Sequence, residues 1–351
     1  MASETLTTAI LGLNERGRRM LKAAVRTGCF QIKAVADQDQ QQAQKAAAEC
    51  GCEAYSDYRQ LIVQNQLDCL LVAADTHACD EQLKAAIRKK FHILKLAPPA
   101  RTFEEALEYV KMAESEKVRF AIGNPDRFKD AYLAARELIA QGGIEHVFLV
   151  IAYCRLRAAE RPVWQNDPKL TGGGVLLHDC YAIVDQILWS FPIPAQVYAL
   201  AVNQAPDKQQ RLYLTEDTAV VAMRFTDAFM ANLIATRRNE IGPNHVTIEV
   251  HGRGARLTIA GNEVTLETDN GRNDQKWQYD DDEQAAMERL LSSFAQSVLT
   301  PDQPLTSSAA ENLRNMAVLE SAYLSARTGF PEEPARILQL AGSLARPPAS
   351  I

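Results

Sequence analysis

The sequence has no run of about eighteen apolar residues, the length a helix needs to cross a bilayer, and no basic stretch leading into an apolar core at its N-terminus. A cytoplasmic protein with no membrane partner is the expectation. Histidine is scarce, with 6 residues scattered at no ligand spacing, so no metal is expected. The 7 cysteines are odd in number and spread through apparent helices and strands, which makes no disulfide framework; they read as reduced thiols. A concentrated basic face is missing as well. The net charge is −6, and the strongest basic run, Arg88-Lys89-Lys90, reads as the solvated last turn of a helix, so nucleic acid is not an expected partner. Asp280-Asp281-Asp282-Glu283 has only a superficial likeness to a calcium loop and reads as the acidic first turn of a helix.

What is there is an ordinary globular composition, 47% hydrophobic and 23% charged over 351 residues. That length is long for one core, so two domains are expected, 1–125 and 126–351. Up to about residue 125, short apolar runs alternate with helical patterns, which predicts successive βαβ units and a parallel sheet. The expected strands are Leu6 to Leu13, Ile32 to Ala36, Leu67 to Ala74, His92 to Ala97 and Val118 to Ile122. Between the first two, Met20, Leu21, Ala24 and Val25 form one apolar stripe, and Gly28 ends that helix. Beyond 125 a helix around Arg127 to Gln141 leads into alternating strands at Thr218 to Phe225, Met230 to Arg237, His245 to His251 and Ala255 to Ile259. These predict an α/β protein: a Rossmann domain with a parallel sheet, then an α+β domain with a mostly antiparallel sheet. Two helices close the chain, the first with Met287, Leu290, Leu291, Phe294 and Val298 on one face.

The first strand opens onto Gly12-Leu13-Asn14-Glu15-Arg16-Gly17. A dinucleotide turn of this kind reads Gly-x-Gly-x-x-Gly: a tight turn, a close approach of backbone to pyrophosphate, and a packing contact between helix and strand. Gly12 and Gly17 hold the outer positions, and Asn14 stands at the middle one. Asn tolerates left-handed backbone, so the turn survives, but its side chain takes volume where a diphosphate sits. Asp37 ends the second strand twenty residues past Gly17, where an acidic group holds a ribose 2′-hydroxyl, and this favours NAD over NADP. The alternative is a loop aspartate that caps the next helix.

Several segments, in order, resemble the Gfo/Idh/MocA family of NAD(P)-dependent sugar and polyol dehydrogenases. Val72-Ala73-Ala74-Asp75-Thr76-His77 is similar to the family's strand-four segment, and His92 to Thr102 to its strand five with a Glu-Lys-Pro motif. Arg127-Phe128, Trp164, Gly172-Gly173-Gly174, Asp185 and Ser325 to Gly329 also match. The resemblance implies a coenzyme held by Gly12, Asn14, Glu15, Arg16, Gly17 and Asp37, with Ala74, Thr76, His77 and Ala97 at the ends of later strands. It implies an active site at the domain junction, a small-molecule ligand, and an open sheet used in homodimers or homotetramers.

The family's proton-handling set is replaced. Aligning Pro98 with the motif's proline puts Leu96 and Ala97 at the Glu and Lys positions, and counting from Gly172 puts His178 and Ala182 at the Asp and His positions. Alanine exchanges no proton. Two substitutes are candidates: Lys95, which shares a strand face with Ala97 or is a solvated strand-end lysine, and His178, a general base or a histidine bonded structurally at a helix start. Tyr153, Arg155 and Arg157 share one strand face, with Arg161 following. Paired guanidinium forks suit a carboxylate or phosphate, so an anionic ligand is one reading and rim salt bridges the other. Tyr181 is a further substrate-side candidate or a packing residue. Three functions stay open: an NAD(H)-dependent oxidoreductase-like protein using His178 or Lys95, a catalytically inactive member that senses a ligand or binds a partner, and a redox-neutral lyase or hydrolase.

Overall fold

The computed structural model describes residues 5–157, 163–203, 215–226, 228–239, 241–269, 271–300 and 302–344. Contacts divide the chain into two units, one of residues up to 128 together with 282–312, the other of 129–281 with 313–344.

In the first unit the βα alternation is realised as β1 (Leu6–Leu11), α1 (Glu15–Thr27), β2 (Phe30–Ala36), α2 (Gln40–Cys50), β3 (Glu53–Tyr55), α3 (Tyr58–Gln64), β4 (Cys69–Val72), α4 (Thr76–Arg88), β5 (His92–Leu96), α5 (Phe103–Ser115) and β6 (Phe120–Gly123). All pairings are parallel, in the order β3-β2-β1-β4-β5-β6. The strand order reverses between β1 and β4, the switch point at which such sheets hold ligands beyond the carboxyl ends of their strands. β1, β4 and β5 are buried along nearly their whole length, as strands covered on both faces must be. On α1 the buried set is Met20, Leu21, Ala23 and Ala24, whereas Val25 is exposed, so the stripe is one residue narrower at its end than the periodicity suggests. Gly28 caps that helix in the left-handed region. Lys89 is less solvated than expected: its ammonium donates to the carbonyls of Ile62, Val63 and Asn65 and closes the C-terminus of α3.

The second unit contains α6 (Asp130–Ala140), β7 (Leu149–Arg157), α7 (Pro168–Thr171), α8 (Val175–His178), α9 (Tyr181–Ser190), β8 (Gln196–Val202), β9 (Thr218–Thr226), β10 (Phe229–Asn239), β11 (His245–Gly252), β12 (Ala255–Ala260), β13 (Glu263–Thr268) and β14 (Gln275–Gln278). The sheet order is β14-β13-β12-β11-β7-β10-β9-β8, antiparallel except where β7 and β10 run parallel. Alternation sets its two faces. Val150, Ala152 and Cys154 of β7, Ala219, Val221 and Met223 of β9 and Ala231, Leu233 and Ala235 of β10 are buried on one face. The residues between them point to the other, where Tyr198, Leu200, Val202, Val220, Met230 and Ile234 are exposed. The edge strand β8 is not bare, because Val197 exchanges two backbone hydrogen bonds with Glu332.

Three further α-helices are described: α10 (Glu283–Leu299), α11 (Ala309–Thr328) and α12 (Pro334–Leu338). Met287, Leu290, Leu291 and Phe294 of α10 join Met20, Leu21, Leu94 and Leu96 in the core of the first unit. The expected division at residue 125 therefore misses this return of the chain. The acidic run before α10 is used as capping groups: Asp282 accepts from the Gln284 N–H, and Asp281 accepts from Asp130 and Ala131 at the start of α6. No described helix is long and apolar enough to cross a membrane.

Candidate functional site

The turn after β1 is built by close backbone approach. Gly12 has φ +85°, and a Cβ there would lie 2.4 Å from the Ala74 nitrogen; a Cβ on Gly17 would lie 2.0 Å from the Gly12 carbonyl oxygen. Only glycine fits either place. Asn14 does not need left-handed backbone, since its φ is −58°. Its carboxamide turns inward instead: Oδ1 accepts from the Gly17 N–H at 3.0 Å and Nδ2 donates to the Ala73 carbonyl at 3.0 Å. Asn14 is thus the N-cap of α1, and it ties the turn to the end of β4. Glu15 is exposed and pairs with Arg19.

Asp37 is not the cap of α2; Asp39 is, accepting from the Gln41 and Gln42 N–H groups. The Asp37 carboxylate accepts from the Leu13 N–H at 2.6 Å and the Asp39 N–H at 2.9 Å, which holds it at the end of β2 against the turn. A carboxylate offers about four acceptor sites, so the group retains capacity for hydroxyls. Both glycines are thus demanded by the chain's own backbone, and the Asp37 carboxylate is fixed beside the turn they make.

Near the ends of β4 and β5 the first unit is crowded with charge. Thr76 is buried with no partner for its hydroxyl, and burial pushes the Asp75 carboxyl up and the His77 imidazole down. Lys95 meets neither of its expectations. It is 2% exposed, and its ammonium donates to the carbonyls of Pro98 at 2.6 Å and Leu96 at 3.2 Å. Burial lowers its pKa to about 8. The intervening Ala97 carbonyl accepts from Arg16 at 3.0 Å. Three successive carbonyls from the last residue of β5 onward are therefore held by two cations, and Lys95 acts on the backbone of the turn.

In the second unit the glycine triplet is again a site of close approach. A Cβ on Gly173 would lie 2.1 Å from the Tyr323 oxygen, and one on Gly174 would lie 2.0 Å from the Glu216 carbonyl oxygen. Glu216, which sequence reasoning missed, organises this turn. Its carboxylate accepts from the Gly174 N–H at 2.9 Å, the Leu176 N–H at 2.8 Å and the Tyr323 hydroxyl at 3.1 Å. Burial raises its pKa to about 7 against the opposing effect of these bonds. The only sequence signal is an acid placed just before an alternating strand.

His178 closes α8, at its end and not at a helix start. Its Nε2 lies 3.1 Å from the Thr171 carbonyl oxygen. A carbonyl only accepts, so Nε2 carries the hydrogen and Nδ1 is the basic nitrogen of the neutral ring. Asp179 pairs with Arg237 at 2.5 Å. Tyr181 is buried, its hydroxyl 3.4 Å from Asn315, which also donates to Asp185 at 2.6 Å; this is a packing role.

Tyr153, Arg155 and Arg157 are not brought together with His178. Cys154 turns toward Cys180 at the start of α9, so the odd-numbered residues of β7 face the other side of the sheet. Nor are the two arginines rim salt bridges: among the described residues neither side chain pairs with a carboxylate. Arg161 lies outside the described residues.

The profile of the oxidoreductase family with an NAD-binding Rossmann fold matches residues 6–124, and that of the GFO/IDH/MocA C-terminal domain matches 132–258. The chain is 24% identical to D-xylose 1-dehydrogenase (NADP(+)) 2 of Haloferax volcanii over 92% of this chain and 98% of that protein. It is 21% identical to an uncharacterized oxidoreductase of Bacillus subtilis over 77% and 75%. Among solved structures, levoglucosan dehydrogenase in complex with NADH and levoglucosan shares the fold with a TM-score of 0.84 at 17% identity, covering 94% of this chain and 99% of that one. A putative myo-inositol dehydrogenase from Sinorhizobium meliloti 1021 does so with a TM-score of 0.77 at 20% identity, with the same coverage.

Proposed function

Because the chain belongs to the GFO/IDH/MocA oxidoreductase family, we propose that it binds NAD(H) and acts on a sugar, polyol or sugar-acid ligand with His178 as its acid–base group. The observation that carries this reading is the bond from His178 Nε2 to the Thr171 carbonyl, on a turn braced by Glu216. It sets the tautomer with the hydrogen on Nε2, so a proton that the neutral ring takes up goes to Nδ1. Gly12, Gly17 and Asp37 would hold the coenzyme, which when bound supplies the hydride acceptor or donor. Asp37 and Asp39 stand together after β2, and two carboxylates there disfavour a 2′-phosphate, which supports NAD over NADP. The Lys95 ammonium is engaged by two carbonyls, which favours His178 over it as the acid–base group.

A second reading, a family member that binds ligand without turnover, is favoured by Ala97 and Ala182 at two proton-handling positions. Following NADH absorbance with NAD+ and a panel of polyols and sugar acids separates the two. Turnover that drops about 100-fold in His178→Ala supports the enzyme. NADH binding with no turnover on any substrate supports the second reading, and turnover that survives His178→Ala sinks the role given to the histidine. The exposed apolar residues of β8, β9 and β10 support self-association as a homodimer or homotetramer, which sedimentation measures.

A further inference from the structure

The outward face of the second sheet carries a cationic group that the proposed reaction does not use. In register, Arg155 of β7 lies between His245 of β11 and Thr236 of β10, and Tyr153, two residues back on the same face, has its ring 6.1 Å from that of His245. Arg157 follows on β7, its backbone N–H held by Asn244 at 2.8 Å. Thr236 is spanned to Thr218 by a hydroxyl contact of 3.0 Å. These neighbours are neutral or basic, and no carboxylate faces Arg155 from β7, β10 or β11 at these positions.

Arg155 is half-buried, and its Nε is sealed from solvent without an acceptor. The guanidinium groups of Arg237 and Arg127 meet the carboxylates of Asp179 and Glu311, although the Nε of Arg237 is also sealed without an acceptor; Arg155 has neither an acceptor at Nε nor a carboxylate among the described residues. A buried donor left without an acceptor destabilises the fold, and a planar guanidinium fork matches an oxyanion above other acceptors. We propose that Arg155, with Arg157 and His245, forms an anion site on the outward sheet face that takes a small carboxylate- or phosphate-bearing ligand. It lies on the face opposite Asp179 and Arg237, and so is separate from the turn that bears His178.

Calorimetric titration with inorganic phosphate and with malonate tests this, on the full chain and on Arg155→Gln, Arg155→Lys and Arg157→Gln, with the mass of each followed by light scattering. The expected result is saturable binding of at least one probe to the wild type, weakened about tenfold or more in Arg155→Gln and Arg157→Gln at unchanged mass. Exposed Arg157 keeps the test valid if Arg155→Gln does not fold. No saturable binding to the wild type, or equal binding to the variants, overturns the proposal. Loss of mass in the variants with no probe binding to the wild type also overturns it, and assigns the acceptor to a carboxylate of a second copy.

Discussion

Glu216 offers a quantitative check on the second unit. Its carboxyl is held at about 7, up from 4.5, because burial disfavours the anion more than two N–H donors and a tyrosine hydroxyl favour it. The unfolded chain releases this proton near 4.5 and the folded chain near 7, so between those values the folded state binds more protons. Stability therefore falls as pH rises through that window, by about 3 kcal/mol in all for this one group. Below the window both states are protonated and the contribution is flat. In Glu216→Gln the titration is gone. The amide also replaces one acceptor oxygen with a donor, leaving one of the Gly174 and Leu176 N–H groups unmet at a cost of about 1–3 kcal/mol. Urea unfolding can be read by tryptophan fluorescence, since Trp164, Trp189 and Trp277 all lie in the second unit. Compared at about pH 5 and about pH 8, the wild type should lose stability that the variant keeps, and the gap between them should narrow. Identical pH dependence in the two proteins would refute the reasoning.

Gly12→Ala forces a methyl into the Ala74 backbone at φ +85°. It should cost about 2–5 kcal/mol, seen as a lower melting temperature by circular dichroism. Lys95 should make wild-type stability rise between about pH 8 and about pH 10.5, because the unfolded chain holds the proton longer there; Lys95→Met removes that rise in the same melts. The pair Arg127–Glu311, at 2.7 Å and buried on both sides, predicts a loss of about 3–5 kcal/mol for Arg127→Met alone and partial recovery in Arg127→Met with Glu311→Gln, measured as a double-mutant cycle.

Much of the first unit could be read from the chain, because each buried strand there is an apolar run bounded by a helix pattern. β3 escaped because Glu53-Ala54-Tyr55 has only three residues and no buried position to mark it. The return of α10 escaped for another reason. A helix shows that one face is apolar, but its periodicity cannot say which core that face joins, and here it joins residues more than 190 positions earlier. Among site residues, alternation correctly put Tyr153, Arg155 and Arg157 on one face of β7, but not on which face. Only the contact of Cys154 with Cys180, at the start of α9, decides that. Depth was equally hidden for Lys95: its strand position was legible, while its burial follows from carbonyls that a turn folds over it. Asn14 looked like a departure from the glycine pattern, and in the folded chain it is a helix cap that the pattern's middle glycine could not supply.

The proposed reaction needs a coenzyme site at Gly12, Gly17 and Asp37. Titration of the wild type and Asp37→Ala with NADH and with NADPH, followed by coenzyme fluorescence, tests it most directly. Saturable NADH binding is expected, tighter than NADPH and weakened about tenfold or more when Asp37 is removed. No NADH binding to the wild type, or binding indifferent to Asp37, would contradict it.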